Sequence, residues 1–320
     1  MLEFGSAAAE PGEVDTGWLT AGEDRAGREL GLPVAAVNGA EDGPTLYLQA
    51  ASDGDELNGV GVVRETVRRI EPRELSGDVL VVGVLNVPGF LEARHENPVD
   101  DTKLNRVFPG DPDGTSSERL ADLVYTEAVE RADLGLDLHQ GSTSRMIHEV
   151  RIRCGTGHEL HEECLRLARA FGTEYVLDRR GPEGQLARVA PDDGVPLVDP
   201  ELGGSVGWDP SSVERGVRGV FNVMREYDML EGEPRLPANQ YRARGFESLY
   251  SDSGGLLDLE ADLYDEVEEG ERLYDVTDVF GDVKSSKDAD RDCVVWRTRR
   301  LPMVASGEYV MSVAYDVEEM

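Results

Sequence analysis

Lysine is almost missing from this chain: only Lys103, Lys284 and Lys287 stand among 32 basic residues, against 65 acidic ones, for a formal net charge of -33 over 320 residues. That balance excludes nucleic acid as a partner, because phosphate contacts need clustered cations. Cysteine is scarce as well. Cys154, Cys164 and Cys293 show no CxxC spacing and are odd in number, which argues against a disulfide framework and leaves buried thiols. Long apolar runs are lacking: none approaches the ~20 residues of a membrane span, and Met1 to Gly12 has neither a basic start nor an apolar core. The expectation is a soluble, cytoplasmic protein with no membrane partner.

What the chain has in abundance is acid, spread through every segment and interleaved with periodic apolar residues. It therefore reads as a solvated folded surface instead of a disordered tail. The profile resembles that of cytoplasmic proteins from salt-loving archaea. In ~1 M salt the screening length falls to about 3 Å, so repulsion across such a surface is largely suppressed.

The stretch Leu46 to Gly59 is the organising element. Its first half is a short apolar run that reads as a buried strand, and its second half places Asp53 and Glu56 in the turn where a helix begins. That helix carries Val60, Val63, Val67 and Ile70 toward a sheet, which leaves both carboxylates at the strand's C-terminal edge, where open α/β sheets place their sites. Leu32 to Val37, Thr45 to Ala51 and Asp78 to Leu85 read as strands, and their alternation with helices predicts an α/β fold with a mixed central sheet flanked by helices. Residues 1 to 30 read as a loose start and an edge strand.

Asn86 to Gly110 is a long loop rich in Pro, Asn and Asp that holds Arg94, His95, Asn105 and Arg106, and loops of that length are usually functional. Arginines there suit a substrate carboxylate. Ser117 to Arg131 reads as an amphipathic helix leading into the strand Ala132 to His139, where Asp137 and His139 share a face, so that the carboxylate can orient the imidazole of a metal ligand. Ile147 to Arg153 and Glu174 to Leu177 read as strands and His158 to Phe171 as a helix; His158 and His161, three apart, could in principle hold a metal, but the acidic turn around them reads as solvated surface. Gly181 to Gly194 reads as a polar loop able to act as a lid. Val195 to Leu202 ends in Glu201, and Ser211 with Glu214 reads as a capping box for a helix to about Leu230. Gly203-Gly-Ser-Val-Gly207 matches the nucleophile-elbow pattern, but no histidine follows His161, so the hydrolase triad order is not met. Pro234 and Pro237 mark a boundary, which gives residues 1–235 as one larger domain and 236–320 as a small all-β module similar to a lipoyl-type hairpin barrel.

In order, Asp53-Gly-Asp-Glu56 with Asn58-Gly59, Arg94, Leu104-Asn-Arg106 with Phe108-Pro-Gly110, Asp137-Leu-His139, and Glu201 with Gly203-Gly204 resemble the succinylglutamate desuccinylase/aspartoacylase family of zinc carboxypeptidase-like hydrolases, from about Leu32 to the end of the chain. The resemblance implies one divalent metal, zinc by preference, held by Asp53, Glu56 and His139. It implies Glu201 as general base, Arg94 polarising the scissile carbonyl, and Asn105 and Arg106 on a substrate carboxylate. The implied activity is hydrolysis of an amide bond in a small N-acyl amino acid, by a chain able to form homo-oligomers. The chain departs from the family at two places. Asp53 stands where the family pattern has His, and Lys103 where DLNR has Asp. The alternatives are a metal-poor relative that binds a small carboxylate without turnover, and a carboxypeptidase acting on short peptides.

Overall fold

The computed structural model describes residues 1–320 except Ser205 and Val206, so the serine of the Gly203 to Gly207 pattern lies outside the described residues. Valine and leucine alternate along the segments that pair, and the described residues form a 13-stranded mixed sheet. Four parallel strands make its centre, in the order Ser76–Val82, Glu41–Ala50, Leu134–Leu138 and Leu197–Leu202. Beyond Leu197–Leu202 the sheet continues through His148–Ile152, antiparallel to it, and then Tyr175–Asp178. At the other side it ends in Glu29–Asn38 and the edge strand Glu13–Glu23, which agrees with the edge strand expected near the start.

Alternation decides which face each side chain buries. Leu46, Leu48, Leu136, Leu138, Val150 and Val198 point to the face covered by the helices Leu57–Arg69, His161–Phe171 and Pro210–Glu226. Tyr47, Leu80, Val82 and Leu197 point to the other face, toward Ser116–Glu127 and the short helix Leu186–Val189. Leu136 is fully buried in the first layer, and truncating it to Ala would cost about 2–5 kcal/mol through lost transfer energy and the cavity left behind. On the second face the apolar core gives way, toward the C-terminal ends of the central strands, to ionisable side chains.

Beyond residue 235 the strand Tyr241–Tyr250 pairs in parallel with Tyr175–Leu177 and antiparallel with Tyr309–Glu319, so the main sheet runs without a break into the C-terminal residues. A separate 4-stranded antiparallel sheet, Val283–Asp288, Arg272–Thr277, Gly255–Leu259 and Met303–Val304, encloses its own core around Leu257, Val276 and Val295. Mixed central sheet, flanking helices and a C-terminal antiparallel module are thus as the sequence implied.

Details differ at helix starts. The cap of Pro210–Glu226 is Asp209, whose carboxylate accepts from Ser212 N at 2.9 Å with Pro210 at the first turn, and not Ser211. The capping box forms instead at Thr115 and Glu118, ahead of Ser116–Glu127. His158 precedes its helix and faces Asp192, while His161 faces Asp178, so the two imidazoles do not share a ligand position. The Gly181 to Gly194 stretch is less polar in effect than in composition, because Leu186, Ala187 and Ala190 insert into the second core layer. No helix among the described residues is long and apolar enough to cross a membrane.

Candidate metal centre

The parallel pairing of Leu134–Leu138 with Leu197–Leu202 sets Leu197 opposite Gly135 and Val198 opposite Leu136, and His139 bridges Glu201. By the same register Asp199 falls beside Asp137. The antiparallel strand His148–Ile152 adds Arg151 opposite Asp199 and Glu149 opposite Glu201. A period of two therefore collects Asp137, His139, Asp199, Glu201, Glu149 and Arg151 on one face at the strand ends.

The third element is the turn after Glu41–Ala50. Gly54 is needed there, because a Cβ would lie 2.4 Å from the Gly89 carbonyl carbon. Glu56 is the N-cap of Leu57–Arg69, yet its carboxylate caps no backbone amide of that helix. It turns to His139, Oε2 to Nδ1 at 3.0 Å, and accepts from Gln140 N at 3.0 Å. Asp53 Oδ2 lies 3.6 Å from the same Nδ1. One ligand atom from each of Asp53, Glu56 and His139 falls within 4.8 Å of the others, and all three residues are buried. The opposite ring nitrogen of His139, Nε2, meets Asp137 Oδ2 at 3.0 Å, the orienting contact that their shared face implies, and Asn105 Nδ2 at 2.9 Å.

Asp53, Glu56 and His139 line a cleft of about 300 Å³ together with His95, Lys103, Asn105, Arg106, Arg151, Arg153, Asp199, Glu201 and Arg297. Glu201 Oε1 is 2.7 Å from Arg151 Nη1, and Arg151 Nη2 is 2.6 Å from Glu149. Burial favours a neutral Glu201, but the positive charges of Arg151, His139, Arg153 and Arg297 together outweigh it, Arg151 most, and hold the carboxyl below its usual range. Asp199 is pushed up to about 6, with burial overcoming the pull of Arg153 at 3.1 Å. Burial also opposes a charged His139; Asp137 and Glu56 on either side win and hold the ring well above its ordinary value. Glu56 is raised by burial and by the charge of Asp53.

Not every expected residue reaches the cleft in the same way. Arg106 lines it with no carboxylate partner among the described residues; its Nη1 donates to the Asn105 carbonyl. Asn105 is buried and committed at both ends of its amide, to His139 and to the Leu186 amide at 3.1 Å. Arg94 is at the rim: its carbonyl packs on Gly54, while its guanidinium pairs with exposed Asp101 at 3.0 Å, and it does not line the cleft. Arg151, Arg153, Asp199 and Arg297 lie in the cleft without having been singled out from sequence. The spacing Glu149-Val-Arg151-Ile-Arg153 and Asp199-Pro-Glu201 carries the first three; Arg297 arrives from the far end of the chain and has no local signal. Its Nε is buried without a hydrogen-bond partner, and its Nη2 donates to Gly141 O at 3.2 Å.

Comparison with known proteins shows what the chain as a whole is similar to. A family model described as the succinylglutamate desuccinylase/aspartoacylase catalytic domain matches residues 42–227. An N-alpha-acetyl-L-2,4-diaminobutyric acid deacetylase of Halomonas elongata is 31% identical over 299 residues, 90% of this chain and 87% of that protein. The product-bound structure of the ectoine utilization protein EutE (DoeB) from Ruegeria pomeroyi superposes with a TM-score of 0.85 at 25% identity, covering 96% of both chains. A succinylglutamate desuccinylase/aspartoacylase structure from Rhodobacter sphaeroides does so with 0.83 at 25%, covering 95% of both.

Proposed function

The chain belongs to the succinylglutamate desuccinylase/aspartoacylase family, and from that premise we propose that it is a metal-dependent deacylase hydrolysing the amide bond of a small N-acyl amino acid. The observation that carries the reading is the convergence of Asp53, Glu56 and His139 beside Glu201 in one cleft. About 300 Å³ is at the small end of ligand pockets and suits an acyl amino acid better than a peptide.

The donor set fits a divalent cation. Two carboxylates and one imidazole are ordinary zinc ligands, though harder divalent ions also suit them. Asp53 Oδ1 is buried without a hydrogen-bond partner, a cost that a cation at this position removes. When bound, such an ion supplies Lewis acidity to an attacking water and to the substrate carbonyl.

The chain's own residues do the rest. Glu201, ionised at neutral pH by Arg151, takes the proton of the attacking water and returns it to the leaving amine. Arg106 holds the substrate carboxylate, with Asn105 fixing the cleft wall beside it. Arg94 reaches the carbonyl by leaving Asp101, an exposed pair worth no more than ~1 kcal/mol. The Halomonas relative is named for a substrate with a carboxylate and a second amino group; a cleft lined by Arg106 and by the Asp199 carboxylate suits that class.

A second reading has its own observation, Lys103 Nζ lying 3.2 Å from Asp53 Oδ2: a metal-poor relative that binds a small carboxylate without turnover. Glu201→Gln separates the two. The deacylase reading expects metal content unchanged and hydrolysis reduced by about 10²–10⁴. Wild-type turnover in this variant removes Glu201 from the mechanism, and a wild type that never hydrolyses acyl amino acids favours the binding protein.

A further inference from the structure

We propose that Lys103 compensates the extra negative charge that an aspartate at position 53 brings to the metal ligand set, and so sets the affinity of the site. The inference rests on the metal-dependent reading above and concerns how this chain builds its ligand set.

Lys103 is held in place on both sides. Its Nζ lies 3.2 Å from Asp53 Oδ2 and 2.7 Å from His95 Nε2. An ammonium can only donate, so His95 Nε2 accepts and the ring proton sits on Nδ1. That Nδ1 donates to Asp55 Oδ1 at 3.0 Å, and Ser142 Oγ donates to Asp55 Oδ2 at 2.6 Å. A continuous relay from Ser142 to Asp53 thus fixes the ammonium at the inner edge of the cleft. The chain has 32 basic residues and only three lysines, the other two being Lys284 and Lys287 in the C-terminal module. The one lysine elsewhere stands here, where its compact point charge lies between a carboxylate and an imidazole.

Lys103 faces Asp53 Oδ2, the oxygen 3.6 Å from His139 Nδ1, while Oδ1 is buried 3.5 Å from His95 Nε2 with no hydrogen bond among the described residues. Asp53 and Glu56 bring two negative charges and a ligating imidazole is neutral. With the ammonium included, the set carries a single negative charge, equal to that of the one-carboxylate, two-imidazole sets of many catalytic zinc sites. Without it the ligand set would carry two negative charges in a buried site.

The account predicts that metal affinity follows net charge. Zinc and manganese affinities measured by chelator competition on the full chain should rank Lys103→Met tightest, wild type and the double variant Asp53→His/Lys103→Met similar, and Asp53→His weakest. Each added or removed charge should change affinity by about tenfold or more, the scale of a unit charge acting on a divalent ion across a few ångströms. A merely structural role for Lys103 would weaken binding in Lys103→Met and would not restore it in the double variant. Should Lys103→Met fail to fold, comparing Asp53→His with the double variant carries the test. Equal affinities across the four proteins, or weaker binding in Lys103→Met, overturn the proposal while leaving the metal-dependent reading intact. No binding by wild type or any variant overturns both.

Discussion

Replacing Arg151 with Met removes the cation that two buried carboxylates share. Its guanidinium contacts Glu149 Oε1 at 2.6 Å through Nη2 and Glu201 Oε1 at 2.7 Å through Nη1, and the side chains are 14%, 0% and 9% exposed. At that burial solvent screens little, and removing one partner of such a pair costs about 3–5 kcal/mol. Spread over the unfolding entropy of a chain of this length, the loss lowers the melting temperature by roughly 4–8 °C. The variant also changes the pH profile. Arg151 holds the Glu201 pKa below its unfolded value, so the stability this contact contributes is present above the ordinary carboxylate range and is lost as pH falls through the folded value. Activity that needs ionised Glu201 fails over the same window. Without Arg151 the carboxyl titrates higher, and the acidic limb of kcat/KM moves to higher pH. Thermal melts and pH-rate profiles of wild type, Arg151→Met and Arg151→Lys test this, with the lysine variant expected between the other two. An acidic limb that stays in place while stability falls would refute the link between Arg151 and the base, and an unchanged melting temperature would refute the energetic argument.

Arg106→Ala should raise KM for substrates with a free α-carboxylate far more than for their amides, since the lost contact is a charge-assisted one present throughout the reaction; equal losses on both would assign Arg106 another role. Arg94→Ala should lower kcat by about 10²-fold if the guanidinium leaves Asp101 to reach the carbonyl, and kinetics within about threefold of wild type would remove it from the chemistry. With 65 acidic against 32 basic residues, the folded state should gain stability on going from dilute buffer to molar salt. A melting temperature indifferent to salt would contradict the screening argument.

Much of this arrangement was legible because it is local. The apolar run before Asp53, the helix after Glu56 and the alternation that puts Asp137 and His139 on one face are all short-range patterns. What a linear reading could not supply is register. Asp199 meets Asp137, and Arg151 meets Asp199 and Glu201, only because three strands of mixed direction align in one way. Arg297 is carried to the cleft by a sheet that runs on into the C-terminal residues. Lys103 read as a departure from a family pattern; its contact with Asp53 crosses a long loop and emerges only in three dimensions. The stretch Gly181 to Gly194 shows the same limit, since Pro182 and Gln185 line the cleft while Leu186 and Ala187, in a run that reads as polar, join the core on the second face of the sheet.

The central claim is that the cleft hydrolyses an amide bond with the help of a divalent ion held by Asp53, Glu56 and His139. The most direct measurement strips the purified protein with a chelator, assays amine release from a panel of N-acyl amino acids that includes N-alpha-acetyl-2,4-diaminobutyrate, and then titrates zinc back. The account predicts no release from the stripped protein and recovery that saturates at one ion per chain in wild type but not in Asp53→Ala. Undiminished hydrolysis by the stripped protein, or equal recovery in Asp53→Ala, would contradict it.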